Sequence, residues 1–300
     1  MTTHLLDLAD LGVDGIDAVI DLAQRPIAEL GRPLSGAGAA LIFEKPSART
    51  RHSMEMAVHQ LGGHPVYTRG DEVGFDVREP VEDITRVLAG YHALLGARVF
   101  HHAVVERMAA VSDVPVVNML SDRSHPLQAL ADVLTMTQVH GPLAGSAVAW
   151  VGDFNNVARS LAEACVLLGA NVRVASPDGY GPADDEVRRI DALGPGSATR
   201  VERAADAVRG AVAVHTDTWT SMGQEGERDR RLADFAGYTV DATLLASAAP
   251  DAGFYHCMPA HRGEEVERSV IDGPRSHVVH QAHNRLHAAR GALAHVLGTR

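Results

Sequence analysis

Five residues near the start of the chain, Ser47-Ala48-Arg49-Thr50-Arg51, put two hydroxyls and two guanidiniums into little more than one helical turn. That set suits an anion with several oxygens. The run before it, Gly38-Ala39-Ala40-Leu41-Ile42-Phe43, reads as a short buried strand that Pro46 stops. Ser47 is a good N-cap, and Met54, Ala57, Val58 and Leu61 recur at helical spacing until Gly62-Gly63 ends the pattern. Cations are disfavoured at a helix N-terminus, where free N–H groups and the dipole attract anions. Two arginines there make sense if a phosphate sits between them and the N–H groups. The alternative is a solvated basic turn.

Other clusters carry chemistry of a different kind. Arg98 ends an apolar strand, and His125-Pro126-Leu127-Gln128 sets an imidazole and an amide one turn apart at a helix start. Gly152-Asp153-Phe154-Asn155-Asn156 occupies the place of a dinucleotide fingerprint but lacks its glycine spacing, which argues against a nucleotide-dependent oxidoreductase. Asparagines there offer donors and acceptors to a zwitterion. Asp217 follows a strand and could hold an ammonium group, or be a plain turn aspartate. For Cys257, between His256 and Pro259, nucleophile, core thiol and substrate-orienting thiol all stay open. His280, His283 and His287 could share one helix face, but no carboxylate or cysteine accompanies them at a known ligand spacing, so no metal site is expected. His101-His102 reads as surface.

The elements that must position these residues alternate strand and helix. Residues 1–33 read as helical. Strands are expected at Leu41–Phe43, Val66–Thr68, Ala97–Phe100 and Pro115–Asn118, and, after a boundary near Gly141, at Ala147–Val151, Val172–Ala175, Ala211–His215, Gly253–His256 and Val278–His280. Helices fall between them, and Ala282–Leu297 reads as a terminal helix. Asp71 to Glu79 and 221–231 read as mobile loops, the second able to close over a bound amino acid. The fold class is α/β, with two doubly wound parallel-sheet domains, residues 1–140 with 282–300 and residues 141–281. In such sheets ligands sit beyond the carboxyl ends of strands, and all the polar clusters follow strands.

Bulk properties narrow the partners. The chain has 300 residues, a formal net charge of −11 and 46% apolar residues. A general nucleic-acid or acidic-membrane binder is not expected with that charge, so an anionic substrate needs a local basic pocket. Two cysteines, Cys165 and Cys257, make no disulfide framework and point to a reducing compartment, the cytoplasm. No apolar run has membrane-helix length, and the acidic start does not look like a signal peptide.

Five motifs, in order and spanning nearly the whole chain, resemble the ornithine carbamoyltransferases of the aspartate/ornithine carbamoyltransferase family. They are Ser-x-Arg-Thr-Arg at 47–51, His-Pro-x-Gln at 125–128, Gly-Asp-x-Asn-Asn at 152–156, Asp-x-Trp-x-Ser-Met-Gly-Gln-Glu at 217–225 and His-Cys-Met-Pro-Ala-His-Arg-Gly-Glu-Glu at 256–265. The first two are shared with the aspartate enzymes, whereas Ser-Met-Gly and His-Cys-x-Pro are the ornithine-type signatures. The resemblance implies carbamoyl transfer from carbamoyl phosphate to L-ornithine, giving L-citrulline and phosphate, with no metal and no cofactor. It implies carbamoyl-phosphate binding by Ser47, Ala48, Arg49, Thr50, Arg98, His125, Gln128, Cys257, Met258 and Arg285, and ornithine binding by Asn156, Asp217, Ser221 and Met222. Catalysis would fall to Arg49, Arg98, His125, Asp217, Cys257 and Arg285. It further implies a terminal helix that packs back on the first domain, and a homotrimer or a multiple of trimers, with no nucleic-acid or membrane partner. Two positions depart from the family's habit: Ala48 stands where threonine is usual, and His283-Asn284-Arg285 replaces Glu-Asn-Arg. Rival readings are a carbamoyltransferase for putrescine, acylated ornithine or aspartate, and a non-catalytic amino-acid-binding protein, which would not need Arg49, Arg98 and His125 together.

Overall fold

A computed structural model describes residues 2–220 and 224–299. The chain forms two compact units, Met1–Ala131 with His283–Arg300, and Asp132–Ala282. Both are α/β with all-parallel sheets, as the strand–helix alternation requires. No helix among the described residues is long and apolar enough to cross a membrane.

The first unit holds β1 (Gly38–Phe43), β2 (His64–Arg69), β3 (Leu94–Arg98) and β4 (Val116–Leu120) in the order β2-β1-β3-β4. β1 and β3 read as unbroken apolar runs because helices cover both faces of the sheet, and Ala40, Ile42, Leu95 and Ala97 lie in one core with Val105, Met108 and Val116. β2, at the edge, is exposed or half-buried throughout. From β1 the chain first moves outward to β2 and then returns to the other side, so the ends of β1 and β3 flank the switch point of this sheet. Ser47–Arg51 and Arg98 lie there. The terminal helix, Val278–Val296, packs on the Gly12–Gln24 helix through Gly291, where a Cβ would sit 2.6 Å from the Val19 carbonyl oxygen.

The second unit holds β5 (Ala147–Val151), β6 (Asn171–Ala175), β7 (Ser197–Val201), β8 (Ala213–Thr216) and β9 (Gly253–His256) in the order β7-β6-β5-β8-β9. Its switch point lies between β5 and β8, which places Asp153–Asn156 beside Asp217. Val151, Val208, Val214, Val240 and Phe254 form part of its core.

Several expectations need correction. The N-terminal region is not helical throughout: Leu5 pairs in parallel with Val117, extending the sheet beyond β4, and the helix proper is Gly12–Gln24. The third strand begins three residues and ends two residues earlier than expected, and past its end the Phe100 N–H is taken by the Glu44 carboxylate at 2.7 Å rather than by a neighbouring strand. Asp71–Glu79 contains a helical turn, Gly70–Val73, and Asp76 is tied to Arg107. β7 was not foreseen, since Ser-Ala-Thr-Arg-Val carries the polar, exposed positions of an edge strand. Val278–His280 is the first turn of the terminal helix; the edge of β9 is instead satisfied by Arg275 and His277, which exchange backbone hydrogen bonds with Phe254. In 221–231, residues 221–223 lie outside the described residues, and the remainder holds a short 3₁₀ turn, Glu225–Glu227, and the start of an Arg228–Asp234 helix.

Candidate active site

In the first unit, Ser47 caps the Ala48–Gln60 helix and accepts from the Thr50 N–H at 3.3 Å, as its position before an apolar-periodic helix predicts. The Ser47 hydroxyl also donates to Thr50 Oγ1 at 3.1 Å. Two guanidiniums converge on that same oxygen, Arg98 Nη1 from the end of β3 at 3.4 Å and Arg285 Nη2 from the terminal helix at 3.5 Å. Arg285 Nη1 donates to His125 Nε2 at 3.3 Å and to Gln128 Oε1. Thr50, Arg98, His125, Gln128 and Arg285 are all buried. Burial, with Arg285 and then Arg98 beside it, holds His125 well below the ordinary imidazole value, so it is neutral at pH 7. Its Nε2 accepts from Arg285, which assigns the ring proton to Nδ1.

The two arginines of the first turn differ. Arg51 is spoken for: its Nε donates to Glu55 at 2.8 Å, and its guanidinium lies 3.8 Å from the centre of the Tyr67 ring. Arg49 is exposed, and no carboxylate pairs with it among the described residues. Ala48 opens the helix, exposed. The unit thus presents several cationic or neutral donors around one capped helix start, an arrangement suited to a phosphate and an adjoining carbonyl oxygen.

His102 had read as surface, yet it is buried, with Nδ1 and the Ser121 hydroxyl 2.8 Å apart. Ser121 belongs to a small polar network with Asn118, Ser124 and Asp7 that supports the turn before His125. His102 lies 19 residues from Ser121, and Asp7 lies 117 from Ser124, so local sequence gave no signal.

In the second unit, Asp217 accepts from Asn155 Nδ2 at 2.8 Å and from the Cys257 thiol at 3.1 Å. Asn155 does two jobs, because its Oδ1 also caps the Asn156–Leu167 helix through the Val157 and Ala158 N–H groups. Asn156 is the first helical residue and half-buried. Sequence reading chose Asn156 and passed over Asn155; only the cap geometry separates the two. Asp153, whose carboxyl is raised by burial against the opposing pull of Arg231, accepts from Arg231 at 2.8 Å. Trp219 and Thr220 were also missed. Among the described residues the buried Trp219 indole N–H and Thr220 hydroxyl meet no hydrogen-bond partner, and the indole edge lies beside Gly152, whose φ of +133° admits only glycine readily. Buried donors of this kind call for a ligand or a water. Met258 follows Cys257 in a left-handed backbone conformation, φ 62°. Ser221 and Met222 lie outside the described residues.

Cys165 is buried and Cys257 half-buried, and no disulfide joins them. Asp217, His256 and Cys257 bring ligand-capable atoms within 4.8 Å of one another, as do His261, Glu264 and Glu265. His256 is already committed, with Nδ1 accepting from the Met258 N–H and Nε2 facing Glu265. His280, His283 and His287 form no such group among the described residues.

Two parallel α/β units, one with a cationic cradle at its switch point and the other with a carboxylate and thiol at its own, define a two-substrate transferase. The comparisons narrow the class. Residues 3–138 match the aspartate/ornithine carbamoyltransferase carbamoyl-P binding domain, and residues 144–296 match the Asp/Orn binding domain of the same family. The chain is 48% identical to an ornithine carbamoyltransferase of Thermus thermophilus, over 98% of this chain and 96% of that protein. With one from Bacillus subtilis it shares 43%, over 98% and 93%. The crystal structure of ornithine carbamoyltransferase from Pyrococcus furiosus superposes with a TM-score of 0.94 at 42% identity, covering 100% of this chain and 98% of that one. The chain belongs to the aspartate/ornithine carbamoyltransferase family.

Proposed function

We propose that this protein transfers the carbamoyl group of carbamoyl phosphate to the side-chain amine of L-ornithine, giving L-citrulline and phosphate. The observation that carries the reading is the convergence of Arg98 and Arg285 on Thr50 Oγ1, with a neutral, buried His125 alongside. A protein that only bound an amino acid would have no use for that cradle.

Ser47, Arg49, Thr50 and the helix N–H groups hold the phosphate, with Ala48 contributing backbone alone. Arg49, Thr50, Arg98, His125 and Arg285 aim donors at the carbonyl oxygen, which gains negative charge as the amine attacks carbon. Gln128 orients the carbamoyl NH2. Asn156, Asp217, Ser221 and Met222 hold the amino-acid head, with Asn155 fixing Asp217 and the Trp219 and Thr220 donors serving the carboxylate. Asp217, Cys257 and the Met258 carbonyl orient the reacting amine, which must shed a proton before attack. The new C–N bond forms, the C–O bond to phosphate breaks with the bonding pair leaving on phosphate, and the proton that the attacking nitrogen gives up passes to the departing phosphate. Cys257 forms no covalent bond in this scheme; its thiol is a donor to Asp217. No metal or organic cofactor enters.

The same reading places the protein in the cytoplasm, in arginine metabolism, as a homotrimer or a multiple of trimers. A colorimetric citrulline assay with carbamoyl phosphate and a panel of ornithine, N-acetylornithine, putrescine and aspartate tests it. Ornithine is expected to be preferred by kcat/KM over every other amine; preference for any of the others would overturn the assignment.

A further inference from the structure

The Cys257–Met258 turn is held by a buried polar chain that the reaction itself does not use. Met258 sits at φ 62°, a region unfavourable for a residue with a Cβ, so its surroundings must hold it there. His256 does so with three separate bonds. Its backbone N–H donates to Gln281 Oε1 at 2.9 Å, its Nδ1 accepts from the Met258 N–H at 2.9 Å, and its Nε2 donates to Glu265 Oε1 at 3.2 Å. Gln281 Nε2 in turn donates to Asp132 Oδ1 at 2.7 Å. His256, Gln281 and Asp132 are each 1% exposed, and Glu265 is 0% exposed. The chain passes between its two units at Ala131/Asp132 and at Ala282/His283, so the Gln281–Asp132 bond ties one crossing to the other within the second unit.

Packing alone does not account for this chain of contacts. Apolar side chains of similar volume would hold β9 without the desolvation of four polar groups. What a satisfied polar chain adds is a single geometry, since each member is committed to a different partner. Here the geometry it sets is that of the peptide between Cys257 and Met258 and of the thiol that donates to Asp217.

We infer that His256, Gln281, Asp132 and Glu265 are positioning residues, which fix the Cys257 thiol and the Met258 peptide for reaction without touching either substrate. The catalytic consequence rests on the carbamoyl-transfer reading; the structural one does not.

The test uses the full chain carrying Gln281→Leu, which removes the acceptor of the His256 N–H and one donor to the Asp132 carboxylate. Three quantities are measured: the rate at which dithiobis(nitrobenzoate) modifies Cys257, the kcat and KM values, and the melting temperature. Cys165 is 0% exposed, so the thiol reaction reads Cys257. A released turn is expected to react about fivefold faster or more, because access controls thiol reactivity. kcat is expected to fall roughly tenfold or more, with KM for carbamoyl phosphate within about twofold, as misplacement of reacting groups acts on rate. A lower melting temperature with thiol rate and kcat both within about twofold of the unaltered chain would mean ordinary core packing and overturn the inference. If the leucine variant does not fold, Glu265→Ala, which removes the acceptor of both His256 Nε2 and the His261 N–H, is read instead; it should change the thiol rate in the same direction, and an unchanged rate overturns the inference. The thiol readout needs no substrate. Failure of the unaltered chain to form citrulline would therefore remove the reaction reading alone.

Discussion

Arg285→Lys probes the cradle where it is most interconnected. Arg285 is 4% exposed, and its guanidinium meets three acceptors, Thr50 Oγ1 at 3.5 Å, His125 Nε2 at 3.3 Å and Gln128 Oε1. Lysine keeps the charge but is a single point, and from one position its ammonium can serve one of the three. Two buried acceptors then lose a charged donor. Such bonds contribute about 1.5–3 kcal/mol each, so the total at stake is roughly 3–6 kcal/mol. At about 1.4 kcal/mol per tenfold, and with part of the loss felt by the free enzyme, kcat/KM for carbamoyl phosphate should fall roughly 10²- to 10³-fold. His125 should remain neutral at pH 7, because burial is the first cause of its lowered value and the second, a nearby cation, is kept. The assay is citrulline formation at saturating ornithine with varied carbamoyl phosphate, beside a thermal melt to confirm folding. A folded variant with kcat/KM within about threefold of the parent would refute the cradle as drawn, because bonds of the size above could not then act on the transition state.

Other expectations follow from single residues. Arg49→Lys keeps the charge in the helix first turn but loses the planar fork, and kcat/KM should drop about 10²-fold or more; calorimetric and kinetic values near wild type would remove Arg49 from the site. Ala48→Thr restores a hydroxyl at the helix start and should tighten carbamoyl-phosphate binding by about 1 kcal/mol, measured as a dissociation constant. Trp219→Phe keeps the stack on Phe235 at 5.2 Å while deleting the buried indole N–H, so KM for ornithine should rise roughly tenfold with KM for carbamoyl phosphate unchanged. Stability should fall on acidification: burial, then His256 and His140, push His215 down to about 3, so below its unfolded value of about 6.5 the unfolded chain binds the extra proton and gains on the folded one. That component is fully present above about pH 6.5 and is lost at up to about 1.4 kcal/mol per pH unit below it; urea unfolding at two pH values should show a shallower slope for His215→Phe than for the parent.

Much of this was legible in the sequence because its causes are local. The N-cap at Ser47, the apolar runs of β1, β5 and β9, and the placement of Arg98, Asp217 and Cys257 at strand ends all depend on neighbours a few residues away. What was not legible depends on distant partners. His102 looked like the twin of exposed His101 until its ring met Ser121. Asn155 and Asn156 are alike in sequence, and only one caps the helix while reaching Asp217. Leu5 becomes a sheet residue only because Val117 offers it a free edge, and Gln281 matters only because Asp132, 149 residues earlier, comes to meet it. Edge strand β7 was invisible for the opposite reason, since half-exposed polar residues carry no strand periodicity.

In the proposed reaction the carbamoyl group passes directly between two substrates on this protein. The most direct measurement is NMR of a reaction containing the purified chain, carbon-13 carbamoyl phosphate and unlabelled L-ornithine. The label is expected in the side-chain ureido carbon of citrulline, in step with an equal amount of phosphate, and neither should form at an enzymatic rate when ornithine is left out. Phosphate released at the same rate without ornithine, or label delivered to another acceptor in preference to ornithine, would contradict it.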